Sequence, residues 1–173
     1  KPVEKTLEQE LGFAPVISEE YDGKIYLNHE GIARSGKTVR EVREAVCRKL
    51  EENENILMAV DYDQVLTSSV PQPLRDMIVN GYNKKRSGDI FFVPRAGWEN
   101  VPACKDYKGT THGQWNPYDT HIHFALYGWG VGHGRSTETV HITDIAPTIC
   151  SMLRIQMPNS CVGQSREGLI SRP

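Results

Sequence analysis

Three short apolar runs, each too brief for a helix and separated by helical patterns, set the limits on how this chain can fold. They are Lys24–Asn28 (KIYLN), Ile56–Tyr62 (ILMAVDY) and Asp89–Val93 (DIFFV). The first places Ile25 and Leu27 on one face of a strand. The second is continuously apolar, which predicts a buried strand. The third is stopped by Pro94. A helix is expected before each. Val3, Leu7 and Leu11, four apart, mark one over 3–13 that Gly12 and Pro15 end. Thr38-Val39-Arg40-Glu41 is a capping box, followed by the stripe Val39, Val42, Val46, Leu50. Pro73 opens a third helix to about Lys84, through Leu74, Met77, Ile78 and Tyr82. Helix and strand thus alternate, which predicts a mixed α/β (α+β) fold built on a small split-βαβ-like sheet with two helices on one face.

The second half follows other rules. Glu99–Asp119 is rich in Gly, Thr, Asn, Pro and Tyr and lacks periodicity, so it is expected as a long loop of the kind that usually carries function. His121–Trp129 (HIHFALYGW) is expected to return to strand, with a short one at Thr139–Ile142. Asp144-Ile145-Ala146-Pro147 starts a helix with Asp144 as N-cap and Ile145, Ile149, Met152 and Leu153 on its buried side. The tail from Pro158 is expected to be irregular.

Composition excludes more than it selects. A length of 173 residues is that of one domain or of part of a larger one. A net charge of -2 excludes a nucleic-acid binder working by bulk electrostatics. The sequence has no apolar run of the ~18 residues needed to span a membrane. It begins at Lys1 and shows no signal peptide, so its start was processed away or it belongs to something longer. Cys47, Cys104, Cys150 and Cys161 are too widely spaced for a zinc ribbon. Two disulfides or four free thiols remain open, with Cys47 fitting a helix face in the core.

Five of the six histidines come late: His112, His121, His123, His133 and His141. His29, His133 and His141 are expected at the surface or in hydrogen bonds. His121 and His123 alternate, so on a strand they share one face. His112 stands apart, presented by Gly109-Thr110-Thr111 and followed by Gly113, a backbone-permissive loop just before a strand. One histidine does not make a metal site, since a catalytic zinc takes about three protein ligands. Asp61, Asp63, Asp106 and Asp119 look isolated, as turn or surface carboxylates. No nucleophile elbow, phosphate-binding loop or dinucleotide fingerprint is present. Gly128-Trp129-Gly130-Val131-Gly132 is expected as a bend where backbones approach closely.

Taken as a block, GTTHGQWNPYDTHIHFALYGWG followed by TVHITDIAPTICSMLRIQMPNSCVG resembles the C-terminal part of a zinc-dependent alkaline phosphatase of the single-chain type found in Bacteroidetes-like bacteria, a relative of the type I phosphodiesterases and nucleotide pyrophosphatases. The THG, YDTHI, YGWG, TDIAPT and IQMPN pieces are specific together. IYLN, the helix from Val39, RSGDI and Gly97-Trp98 extend the resemblance over nearly the whole chain, least over its first twenty residues.

The resemblance implies an alkaline-phosphatase-like fold, divided into a layered helix and strand part at 1–98 and a part at 99–173 holding a metal-ligand loop, a strand and a C-terminal helix. It implies a pair of zinc ions in the whole enzyme, of whose ligands only the THG histidine maps here, onto His112. The threonine or serine nucleophile and the other ligands are expected upstream of Lys1, so these residues alone are expected to be inactive and to hold no zinc stably. The implied partner is a small phosphate ester, with no nucleic-acid polymer and no membrane span, and the implied location is the periplasm or another exported compartment. Oligomeric state is left open. One departure is His123, where the family usually has a proline after DTHI. The alternatives are a phosphodiesterase or nucleotide pyrophosphatase of the same superfamily, or a non-catalytic ferredoxin-like interaction module.

Overall fold

Asp22 and Gly23, both at positive φ (51° and 73°), make a two-residue turn between antiparallel strands β1 (Ile17–Tyr21) and β2 (Lys24–Leu27). The structure, a computed structural model, describes residues 2–99, 108–109 and 111–170, and the chain divides into two compact units, Lys1–His121 and Ile122–Pro173. In the first unit the hairpin joins β3 (Ile56–Asp61) and β4 (Ile90–Pro94) in the order β1-β2-β4-β3. Both β2 and β3 run antiparallel to β4, hence parallel to each other on either side of it. That is the expected split-βαβ arrangement. β1 was not anticipated, although Asp-Gly between two strand-like stretches is a strong hairpin signal.

Ile90, Phe91, Phe92 and Val93 are all buried, so both faces of β4 are covered. On one face Ile90 and Phe92 meet Leu7 and Leu11 of α1 (Pro2–Leu11), Ile32 of α2 (His29–Ser35), and Val42, Val46 and Leu50 of α3 (Val39–Glu51). On the other, Phe91 and Val93 pack with Val60, Val70 and Ile78, the last from α4 (Gln72–Gly81). This corrects the expectation of two helices on one face, because α4 lies opposite α3. A strand with four consecutive apolar side chains needs an apolar partner on each side. The expectation for β3 also changes: it is an outer strand, and its Leu57 is 47% exposed. Met77 of α4 is likewise exposed.

The capping box forms as expected. Thr38 Oγ1 accepts from Glu41 N at 3.2 Å, and Glu41 Oε2 accepts from Thr38 N at 2.7 Å. Helix α2 is an addition, with one buried large apolar side chain, Ile32. Asn28 Oδ1 caps it by accepting from Gly31 N, and Gly36 ends it at φ 76°. The stretch 99–119 is a loop as far as it is described, closing with the single turn α5 (Pro117–Thr120). Cys104 and Asp106 lie outside the described residues.

The second unit is organised around α6 (Ile145–Leu153), entered through a 3₁₀ turn at Ile142–Asp144. The expected strands at 121–129 and 139–142 do not form. The single bridge among these described residues pairs Val131 with Ile170. An extended run becomes a strand only when a neighbour takes its N–H and C=O groups, and Ile122, Tyr127 and Trp129 face solvent instead. Helix α6 is also turned from its expected orientation. Pro147, Thr148 and Cys150 are buried, whereas Ile145, Ile149 and Leu153 are exposed. The tail after Pro158 is irregular apart from a 3₁₀ turn at Glu167–Leu169.

Candidate functional site

His112 projects from an exposed loop whose neighbours Gly109 and Gly113 both take positive φ (121° and 133°), a conformation that side chains with a Cβ rarely adopt. The loop is held from the next turn. Asp119 Oδ2 accepts from Gly113 N at 2.7 Å and from Gln114 N at 2.5 Å. These two N–H groups, Gln114 first, hold the Asp119 carboxyl below its usual range, and the nearby His112 adds to the effect. Asp119 is therefore a turn carboxylate, as expected, and the turn it makes is the one that presents His112.

Trp115 continues the loop inward and meets Phe91 edge to face, ring centres 5.0 Å apart. Phe91 lies 6.4 Å from Tyr62, which stacks on Tyr82 at 4.7 Å. The histidine loop is thus anchored on one side by a carboxylate and on the other by an aromatic row on the sheet.

The remaining candidates do not join His112. His121 and His123 are exposed, and without a strand they share no face. His133 and His141 are exposed as well. His29 is half-exposed, with Nε2 3.0 Å from Asp89 Oδ1, the hydrogen-bonded surface histidine expected. Among the described residues no group of three or more His, Cys, Asp or Glu side chains converges where an ion could sit. The described residues therefore do not fit a two-metal centre by themselves. Cys47, Cys150 and Cys161 are free thiols.

Two charged clusters escaped the sequence. Asp61 and Asp63 are not isolated. Both meet the Arg43 guanidinium, Asp61 at 3.3 Å, and Arg43 Nη2 donates to the buried Asp89 at 2.8 Å. Asp89 also accepts from Leu27 N at 2.9 Å. Burial alone would raise the Asp89 carboxyl, but the Leu27 N–H, Arg43 and His29 bring it below its usual range, while burial leaves Asp61 above it. This cluster ties β2, α3, β3 and β4 together. The only trace of it in the sequence is the placement of acids at strand ends.

In the second unit Asp144 is buried and accepts from Gln164 N (2.8 Å), His141 N (3.0 Å) and Arg166 Nε (2.7 Å). Its side chain makes no capping bond to α6, which corrects its expected role. Thr148 Oγ1 donates to Asp144 O at 2.6 Å and accepts from Arg166 N at 3.0 Å. Gly163 sits against this knot, where an added Cβ would lie 1.9 Å from Thr143 O. The glycine bend at Gly128 and Gly130 is present, with both at positive φ, but an added Cβ at Gly128 would meet nothing within 4 Å. The expected close approach of backbones comes at the end of the bend, where Gly132 N donates to Leu169 O at 3.0 Å and Val131 bridges Ile170.

No family model matches the chain. It is 36% identical over 99% of its length to alkaline phosphatase PafA of Elizabethkingia meningoseptica, 40% identical over 94% to a calcium-transporting ATPase of Myroides odoratus, and 32% identical over 83% to alkaline phosphatase PhoV of Synechococcus elongatus. It spans 31%, 29% and 25% of those proteins. Crystal structures of wild-type PafA and of a PafA variant with four substitutions superpose on 98% of the chain, with TM-scores of 0.91 and 0.89 at 35% identity, and the chain covers 32% of each. Among the described residues no helix is long and apolar enough to cross a membrane. By sequence and by fold this chain is similar to the PafA-type alkaline phosphatases, matching a stretch about one third as long as they are.

Proposed function

We propose that the protein containing these residues is a zinc-dependent phosphomonoesterase and that His112 is one of its metal ligands. The observation that carries this is the match to PafA over 99% of the chain. The geometry of the histidine loop supports it. Asp119 and the two glycines fix the backbone on either side of an exposed imidazole, which is how a rigid scaffold presents a ligand. In this proposal the other ligands and the attacking hydroxyl lie outside these 173 residues, the substrate is a small phosphate ester, and the enzyme works after export, in the periplasm.

Hydrolysis of p-nitrophenyl phosphate tests the assignment. In the full-length protein His112→Ala is expected to lower zinc content and turnover on the order of a hundredfold or more, with His123→Ala changing little. Equal losses in both variants tell against His112 as a ligand. Turnover by the 173-residue chain with added zinc tells against the placing of the other ligands outside it.

A further inference from the structure

Helix α6 carries no charged residue on any face: its sequence is IAPTICSML, without an acid in the first turn or a base in the last. A helix at a protein surface normally sets a polar face outward. Helix α3 does so, burying Val42, Val46 and Leu50 and turning Arg40 and Glu44 to solvent. A helix without such a face belongs in a core. Yet only one side of α6 is covered. Pro147, Thr148 and Cys150 are buried, whereas Ile145, Ile149 and Leu153, spaced four apart and so in one row, are 37%, 43% and 55% exposed. The helix cannot roll to hide this row. Thr148 Oγ1 accepts from Arg166 N at 3.0 Å, and Arg166 Nε donates to the buried Asp144 at the helix entrance. Turning the row inward would break these bonds and uncover Pro147 and Cys150. Just past the helix, Ile155 and Met157 are exposed as well.

The size of the similar proteins indicates what covers the row. Wild-type PafA superposes on 98% of this chain with a TM-score of 0.91, and the chain covers 32% of it. The same fold there is one part of a larger polypeptide. An uncharged apolar row is what a cut through a core leaves exposed. We propose that the row of Ile145, Ile149 and Leu153 packs against an apolar surface of the same polypeptide outside residues 1–173, and that α6 is a core helix of the whole protein. This rests on the reading of the protein as a longer PafA-type enzyme, though not on its catalytic chemistry.

Urea unfolding of the full-length protein and of the 173-residue chain, each with and without Ile149→Ala, is the test. In the full-length protein the truncation is expected to raise the unfolding constant about 30-fold or more, as at a buried site. In the 173-residue chain, where the site is exposed, the expected change is no more than about twofold. Ile149→Val removes a single methylene and keeps the fold, and is expected to give about fivefold in the full-length protein and no change in the 173-residue chain. Equal effects in the two proteins overturn the proposal, as does a full-length protein indifferent to both variants. So does a dimer of the full-length protein that Ile149→Glu converts to folded monomers, since the occupant is then a second copy. Hydrolysis of p-nitrophenyl phosphate, read on the same samples, separates the two readings. The expected contrast in a full-length protein that hydrolyses no ester sustains the packing and overturns the phosphatase function. Absence of the contrast in an active enzyme overturns the packing alone.

Discussion

Asp144 supports a quantitative prediction about the second unit. Its carboxyl is 2% exposed, and burial by itself would push it up. The N–H groups of Gln164 and His141 and the Arg166 guanidinium more than reverse this and bring it from 3.8 to about 2. At ~1.4 kcal/mol per pH unit, a depression of that size contributes about 2 kcal/mol of stability. Because the folded value lies below the unfolded one, that contribution is complete above pH 4 to 5 and is lost as pH falls towards 2. Asp144→Asn keeps the shape and removes the charge, leaving the guanidinium of Arg166, itself only 19% exposed, without its partner. Breaking a buried pair costs ~3–5 kcal/mol, and the partial exposure of Arg166 puts the expected loss near ~3 kcal/mol at pH 7. Urea unfolding followed at the Thr148 methyl resonance reads the second unit selectively. The stability gap between the native chain and Asp144→Asn is expected to shrink by about 2 kcal/mol between pH 5 and pH 2. A gap that stays constant across that range refutes the argument, since it means the carboxylate charge is not what the surrounding N–H groups and Arg166 stabilise.

Gly163→Ala would place a Cβ 1.9 Å from Thr143 O, backbone that cannot step aside, so it is expected to destabilise the second unit by about 3 kcal/mol in urea unfolding. Gly168→Ala, with nothing within 4 Å, serves as control and is expected to change stability by no more than ~0.5 kcal/mol. Thr38→Ala removes the hydroxyl that accepts from Glu41 N, leaving the Thr38 N–H bond to Glu41, and should cost about 1 kcal/mol by thermal or urea unfolding, an effect that Thr38→Ser largely restores. Burial pushes the Cys47 thiol up to about 12, so alkylation by iodoacetamide at pH 8 is expected to be at least ~100-fold slower in the folded chain than in urea. Equal rates would show the thiolate to be accessible at neutral pH.

The first unit was far more legible than the second, for a physical reason. The capping box, the stripe of α3 and the runs that became β2, β3 and β4 are signals within a few residues of one another, and each formed. Helix α2 has one buried large apolar side chain and is held by the Asn28 cap, too little periodicity to register. The side of the sheet taken by α4 depends on β4 being apolar on both faces, which the run of four apolar residues in DIFFV encodes. In the second unit HIHFALYGW has the residue types of a strand, but a strand is a relation between two segments, and among the described residues it has no ladder partner. The exposed loop carrying His112 was legible in its flanking glycines and the motif around it. That Asp119 holds this loop through Gly113 N and Gln114 N was not legible, because residue identity does not announce which N–H groups a turn carboxylate takes. The Arg43 and Asp144 clusters join by hydrogen bonds residues up to 62 and 22 positions apart.

The position of β4 also determines the order in which the first unit can assemble. It is the last strand of the sheet to leave the ribosome, yet it fills the gap between β2 and β3, which have no hydrogen bonds to each other. Until residue 94 is synthesised, the β1–β2 hairpin and β3 share no ladder, and the flank of each that faces β4 is unpaired. Insertion of one strand then pairs Lys24 with Phe91 and Val60 with the same Phe91, closing contacts about 65 and 30 residues long in a single event. The ladder that joins the hairpin to β3 is therefore made by β4 alone, the strand synthesised last of the four.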